Sequence, residues 1–256
     1  MKKIAILTGA TGGLGQEFLK QILKEEIDEV WAIGRNMQKL SALRFEHGEK
    51  VVPIPLDLSA RSAIGQVADL LQAQKPTVAY LINNAGLARM GKYDEFSLDE
   101  IDQTINVNCK APVMLAQVCI PYMGSGSRIL NIASASAFQP KPYINLYAAS
   151  KAFERNYTRA LNVELEGTGI KATAVCPGWI DTEMLQKEIN GKKVRFPGLV
   201  TPRQVVTQAI KAAKKGKDMS VCSLYVKYQH LIVKLLPQRW VMKIWMMGIS
   251  SYLKEN

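Results

Sequence analysis

Short aliphatic or β-branched runs alternate with longer segments of helical periodicity from one end of the chain to the other, and that alternation limits the fold more than any other property of the sequence. The runs fall at 3–7, 29–33, 51–55, 78–82, 128–133, 170–175 and, less sharply, 219–222. The helical patterns fall at 13–25, 37–46, 59–73, 97–122, 145–167 and 202–216. A strand, a helix and another strand in succession pair in parallel through a right-handed crossover, so helices come to cover both faces of the sheet. The expectation is therefore an α/β fold with one doubly wound, mainly parallel sheet of about seven strands flanked by helices. A single domain over 1–256, ending in a C-terminal helical extension, suits the 256 residues and 48% apolar content, which are enough for one sizeable core. Ser97 with Glu100, and Thr201 followed by Pro202, mark two helix starts by their capping patterns.

Directly after the first run the chain reads Thr8-Gly9-Ala10-Thr11-Gly12-Gly13-Leu14-Gly15, and a helical pattern follows. Glycines there allow a sharp turn, close approach of a pyrophosphate to the backbone and tight helix-on-strand contact, while the helix N-terminus offers free N–H groups to phosphate charge. A plain flexible turn is the alternative, but the strand-turn-helix context favours a dinucleotide site. The second run ends in Ile33-Gly34-Arg35-Asn36, without the carboxylate that would accept the ribose hydroxyls of NAD. Arg35 instead offers a permanently charged planar fork suited to the 2′-phosphate of NADP, with Lys39 as a weaker second contact. NADP(H) is thus expected over NAD, against the reading of Arg35 as a solvated surface charge.

Tyr147 and Lys151 stand four residues apart in a helical pattern and so share a face. An ammonium beside a phenol favours the phenolate, the form a general base needs. Ser134 follows the fifth run, where the carboxyl edge of a parallel sheet would bring it to a ligand crevice. An ordinary surface pair on a helix is the alternative reading of Tyr147 and Lys151.

Together, the glycine turn and the Tyr147-x-x-x-Lys151 pair resemble the short-chain dehydrogenase/reductase family over nearly the whole chain. Asn83-Asn84-Ala85-Gly86, Asp57, Asn108 in Val107-Asn108-Cys109-Lys110, and Pro177-Gly178-Trp179-Ile180-Asp181-Thr182 match its further signatures. The resemblance implies Tyr147 as general acid or base, with Lys151 favouring the phenolate and holding the nicotinamide ribose. It implies Ser134 as the group that hydrogen-bonds the carbonyl, with Ser136 a nearby alternative hydroxyl. Asn108, preferred to Asn106, would anchor a water that links Lys151 to solvent. The implied cofactor contacts are Thr8, Gly9, Thr11, Gly13, Leu14, Gly15, Arg35, Asp57, Leu58, Asn84, Ala85, Gly86, Tyr147, Lys151, Pro177, Gly178, Ile180 and Thr182. The implied subtype is NADP-preferring, hydroxysteroid dehydrogenase-like or carbonyl reductase-like, and family habit suggests a homodimer or homotetramer.

The charge is unevenly spread. Of the +11 total, residues 183–256 hold 14 Lys/Arg against 4 Asp/Glu, which leaves 19 against 18 in the first 182 residues. The basic excess therefore informs substrate and location, and not the reaction. One part of it lies in 183–200, expected to be a substrate lid with hinges at Gly191 and Gly198 and with Lys192, Lys193 and Arg195 drawing an anionic substrate, or else a solvated charged loop. The other lies in 223–256. There Leu224, Tyr228, Leu231, Ile232 and Leu235 share one helical face and Lys227, His230 and Lys234 the opposite one. After Pro237, Trp240, Val241, Ile244, Trp245 and Met247 follow among Arg239 and Lys243. This extension reads as a pocket wall and dimer contact, as a peripheral membrane-surface segment, or as an ordinary solvated finish.

Four scattered cysteines and two distant histidines (His47, His230) suggest no metal site and no disulfide, hence a reducing compartment. The apolar run after Met1-Lys2-Lys3 is too short for a signal-peptide core, so the expected location is cytoplasmic, with a place at the membrane periphery as the variant. The leading expectation is an NADP(H)-dependent oxidoreductase of ketones, aldehydes or secondary alcohols with a hydrophobic substrate such as a steroid or lipid. A 3-oxoacyl thioester reductase is the second enzyme reading, and an NADP(H)-binding sensor or scaffold is the reading outside enzymes. No recognisable nucleic-acid module accompanies the charge, so nucleic acid is not expected as a partner.

Overall fold

A computed structural model describes residues 1–182, 185, 188–189, 192–193 and 196–253. In chain order it comprises β1 (Lys3–Thr8), α1 (Gly13–Ile22), β2 (Glu29–Gly34), α2 (Met37–His47), β3 (Val51–Pro55), α3 (Ser62–Gln74), β4 (Thr77–Asn83), α4 (Leu98–Ile105), α5 (Ala111–Cys119) and β5 (Arg128–Ile132). There follow α6 (Asn145–Glu164), β6 (Lys171–Val175), β7 (Glu188–Ile189), β8 (Lys192–Lys193), α7 (Pro202–Lys214), β9 (Met219–Ser220), α8 (Leu224–Leu235) and α9 (Gln238–Leu253).

Seven strands form one all-parallel sheet in the order β3-β2-β1-β4-β5-β6-β9, each joined to its neighbour in parallel register. Because both faces are covered, alternate residues of one strand feed different cores. Ile4 and Ile6 of β1 join Leu81, Leu115 and Leu161 on the side of α3, α5 and α6, while Ala5 and Leu7 join Phe18, Leu40 and Val206 on the side of α1, α2 and α7. The strand order reverses between β1 and β4, which opens a crevice beyond their carboxyl ends. Both expected capping patterns are present as reciprocal hydrogen bonds, Ser97 with Glu100 and Thr201 with Gln204.

One expectation is corrected. The pattern at 97–122 is not one helix, because α4 passes into a π-turn over Asn106–Lys110 before α5 begins. Pro112 supplies the cause: it has no N–H to give the Asn108 carbonyl four residues back, and the Ala111 N–H instead reaches the Asn106 carbonyl five residues back. A short antiparallel pair, β7 with β8, lies inside the expected lid, of which Gly191 and Arg195 fall outside the described residues. The C-terminal extension forms α8 and α9. Leu224, Tyr228, Leu231 and Leu235 of α8 are the outward stripe, between 54% and 79% exposed, whereas Val226 is buried and the His230 ring packs at a tilt against Phe138, with centroids 4.0 Å apart. Helical periodicity marks an apolar face without saying what covers it, and here the shorter Val226 face was the one that fitted the body of the protein. In α9 the same division recurs, with Trp240, Ile244 and Met247 exposed and Val241 and Ile249 buried. Among the described residues no helix is long and apolar enough to cross a membrane. Cys109, Cys119 and Cys176 are buried, and Cys222 is only partly so.

Candidate active site

At the crevice the β1–α1 turn folds back on itself. Gly9 adopts φ +63°, a left-handed conformation that disfavours any other side chain, and a Cβ there would lie 2.9 Å from the Ala85 Cα. At Gly15 a Cβ would fall 2.1 Å from the Gly9 carbonyl oxygen, so the start of α1 presses against the turn with no room for a methyl group. No side chain caps the α1 N-terminus and no acidic residue sits in its first turn, which leaves that end of the helix available to an anion. The turn opens onto a cleft of about 460 Å³ whose far wall includes Ile180 and Thr182.

Nearly all of the sequence-predicted cofactor residues line that one cleft. Thr11, Gly13 and Leu14 form one end with Arg35, Asp57 and Leu58, Asn84, Ala85 and Gly86 form the floor, and Ser134, Tyr147, Lys151, Pro177 and Gly178 form the other end. Two predicted residues lie behind it. Thr8 is buried, and its hydroxyl accepts the N–H groups of Asn84 and Ala85, each at 3.0 Å, so it braces the floor instead of lining it. Asn108 is fully buried: its amide donates to the Leu87 carbonyl at 2.8 Å and to the Ser150 hydroxyl at 3.0 Å, and its Oδ1 accepts the Leu87 N–H at 2.8 Å. Lys39 gives its backbone N–H to the Asn36 cap and does not line the cleft with its side chain. Asp57 closes its own turn by accepting the backbone N–H and hydroxyl of Ser59, and these bonds, with Arg35 adding charge, hold its carboxyl below the usual range.

Arg35 is exposed at the end of β2, with no carboxylate at the neighbouring positions Gly34 and Asn36. Glycine cradle, uncapped helix end and exposed guanidinium together fit a phosphate-rich dinucleotide carrying one further phosphate near its adenosine end.

At the opposite end of the cleft, Ser134 follows β5 and accepts the Ser136 N–H at 3.1 Å, while Tyr147 and Lys151 project from the first turns of α6. The Lys151 ammonium donates to the Ile132 carbonyl at 2.6 Å and to Glu154 Oε2 at 2.8 Å, and it lies 6.0 Å from the Tyr147 ring centroid. Glu154 was not anticipated, although its spacing of seven from Tyr147 and three from Lys151 places it on their helical face. Both members of the pair are buried, and Glu154 Oε1 has no hydrogen-bond partner among the described residues. Burial pushes the Glu154 carboxyl up to about 7 against the pull of Lys151. Lys151 ends above its ordinary value, because Glu154 and Tyr147 together outweigh the burial that would lower it.

A group whose folded pKa exceeds its unfolded one stabilises the fold below the unfolded value and loses that contribution as pH rises through the folded value. Glu154 should therefore make unfolding easier as pH rises from about 4.5 to about 7. Urea denaturation across that window should show the decline in wild type and a flatter profile in Glu154→Gln, by on the order of 2 kcal/mol.

Beyond Tyr147 lies a second cavity of about 450 Å³, walled by Met90, Phe138, Trp179, Val226, Val233 and Trp245 among others. The C-terminal extension thus supplies part of this wall, through α8 and α9. Ser134, Tyr147 and Gly178 belong to the walls of both cavities.

A family model described as short chain dehydrogenase matches residues 3–193. The chain is 32% identical over 219 residues to the ketoacyl reductase HetN of Nostoc sp., covering 83% of this chain and 75% of that protein. Among solved structures it is similar to a short-chain dehydrogenase from Sphingobium yanoikuyae in complex with NADPH, with TM-score 0.75, 25% identity and coverage of 90% and 92% of the two chains. A blue fluorescent protein from a metagenomic library, also in complex with NADPH, gives TM-score 0.75 at 26% identity, with 86% and 95% covered. The protein belongs to the short-chain dehydrogenase/reductase family. It is accordingly a member of a family of oxidoreductases that act on CH–OH and C=O groups, with the seven-stranded parallel sheet of that family.

Proposed function

We propose that the protein is an NADP(H)-dependent reductase of ketones or aldehydes, reversible as a secondary alcohol dehydrogenase, working on a mainly hydrophobic substrate such as a steroid or lipid. The observation that carries this reading is the junction at Ser134 and Tyr147, which stand where a glycine-lined cleft and an apolar cavity meet. The bound nicotinamide supplies the hydride. Tyr147 gives its hydroxyl proton to the carbonyl oxygen in reduction and takes it back in oxidation. Ser134 donates a hydrogen bond to that same oxygen as charge develops on it. Lys151, fixed by Ile132 and Glu154, keeps an ammonium near the phenol and would hold the nicotinamide ribose. Asn108 holds the Leu87 backbone, and through it the Asn84–Gly86 floor, and would anchor the water that relays protons to Lys151.

The remaining cleft residues would bind the cofactor along its length. Gly9, Thr11, Gly13, Leu14 and Gly15 would take the pyrophosphate, Arg35 the 2′-phosphate, Asp57 and Leu58 the adenine. Asn84, Ala85 and Gly86 would lie along the ribose, with Pro177, Gly178, Ile180 and Thr182 at the nicotinamide. The NADPH complexes of two relatives support NADP(H) over NAD. The name of the Nostoc relative favours a second reading, a 3-oxoacyl thioester reductase. The intact set of Ser134, Tyr147 and Lys151 argues against a sensor without turnover.

The reading includes one domain over the whole chain and a cytoplasmic protein. Its outward α8 and α9 stripes would meet either a second subunit or a membrane surface. Because Val226 and Val233 wall the cavity, Leu231→Ser with Leu235→Ser is a better probe of that contact than truncation at Val221.

Steroid, aliphatic, aromatic and 3-oxoacyl thioester ketones should be compared by the loss of reduced-nicotinamide absorbance with NADPH and with NADH. Turnover of a bulky ketone with NADPH is expected, preference for thioesters would move the assignment to the second reading, and binding of NADPH without turnover of any class would defeat both.

A further inference from the structure

Lys141 lies in the loop between Ser134 and α6, and its side chain forms part of the wall of the apolar cavity. Its ammonium sits 4.3 Å from the centroid of the Trp245 ring, and that ring is fixed from α9 by the indole N–H, which donates to the Pro142 carbonyl at 3.0 Å. Of the three N–H groups it can offer, one reaches the Ser136 hydroxyl at 3.3 Å. Among the described residues no carboxylate pairs with it, and no Asp or Glu lines the cavity. The other cation in the wall, Arg89, is different, because it is paired with Glu100. Burial pulls Lys141 down to about 8, so it keeps its charge near neutrality.

A cation enclosed by apolar groups ordinarily has a partner of opposite charge, since desolvating it alone is costly. Trp245 and Ser136 hold the ammonium in place without neutralising it. The remaining N–H groups belong to a side chain that lines the same cavity as Ser134 and Tyr147, where the reacting carbonyl would sit. We propose that Lys141 is the recognition group for a carboxylate on the substrate, so that the preferred substrate is a hydrophobic ketone that also bears an anionic group. This inference rests on the reductase reading for the position of the carbonyl, but the anion site itself does not require turnover.

The test compares para-acetylbenzoate with its methyl ester, which share a ketone and differ in charge. With NADPH, wild type should show the higher kcat/KM for the acid. Lys141→Met should cut the acid-to-ester ratio by about ten- to a hundredfold, chiefly through KM, and Lys141→Arg should retain most of it. NADPH affinity should stay the same in all three proteins and serves as the control for folding. An unchanged ratio in Lys141→Met, or an equal loss for acid and ester, would overturn the proposal. Calorimetric binding of para-acetylbenzoate to the NADP⁺ complex separates the two levels of the argument. Binding that is lost in Lys141→Met without any turnover supports the anion site and counts against the reductase reading, while turnover with no discrimination between acid and ester does the reverse.

Discussion

Replacing Tyr147 with Phe should lower kcat by about two to four orders of magnitude and leave NADPH affinity within a few-fold of wild type. The substitution removes one hydroxyl and preserves the ring, so the walls of both cavities keep their shape. What disappears is the proton donor at the junction, and Ser134, Lys151 and Glu154 do not replace it. Ser134 is too weak an acid, Lys151 is engaged by Ile132 and Glu154, and Glu154 has no part in the lining of either cavity. A pre-steady-state comparison should find the loss in the chemical step, with the KM of the ketone little altered. Loss of cofactor binding in step with kcat would instead assign Tyr147 a structural part.

Arg35→Asp should reverse the choice of cofactor. A charged hydrogen bond to the 2′-phosphate is worth about 1.5–3 kcal/mol, and the new carboxylate adds repulsion against that phosphate. It would also accept the free ribose hydroxyls of NADH. The ratio of kcat/KM for NADPH to that for NADH should therefore fall by a hundredfold or more. Arg35 is exposed at the surface, so Tm should hardly move. A variant that keeps the wild-type preference would show that Arg35 is only a surface charge.

Much of the architecture could be read from periodicity because the chain obeys one rule throughout. Every apolar run became a strand of the parallel sheet, and 51–55 kept its bounds as β3. Errors arose where a local pattern had more than one physical solution. The apolar spacing at 97–122 continued through Pro112 although the hydrogen-bond ladder could not, and a π-turn absorbed the break. In α8 the spacing left open what would cover the larger apolar stripe, and in the structure that stripe faces outward while Val226 and the ring of His230 pack inward. Spacing shows that a face exists, and only the surface it meets decides whether that face is covered.

The site followed the same division. Glycines and strand-end polar residues pointed to the cleft, since few other folds need them at that edge. Thr8 looked like a ligand contact, but the floor needs an acceptor for the Asn84 and Ala85 N–H groups, and its hydroxyl serves them from behind, while Asn108 clamps Leu87. Glu154 escaped notice because a carboxylate on the inner face of a helix gives no signal until its partner is known to be Lys151. Lys141 was hidden in the same way, as one cation in a loop, until Trp245 arrived from the far end of the chain to hold it against the cavity.

The central claim is that this cleft transfers a hydride from NADPH to a carbonyl lodged at Tyr147. NADPH deuterated at the transferring carbon of the nicotinamide, incubated with a reducible ketone from the panel and followed by mass analysis of the product, tests it most directly. The account predicts a secondary alcohol carrying the deuterium at its carbinol carbon, formed by wild type and nearly absent with Tyr147→Phe. NADPH that binds but returns every ketone class unlabelled would contradict it.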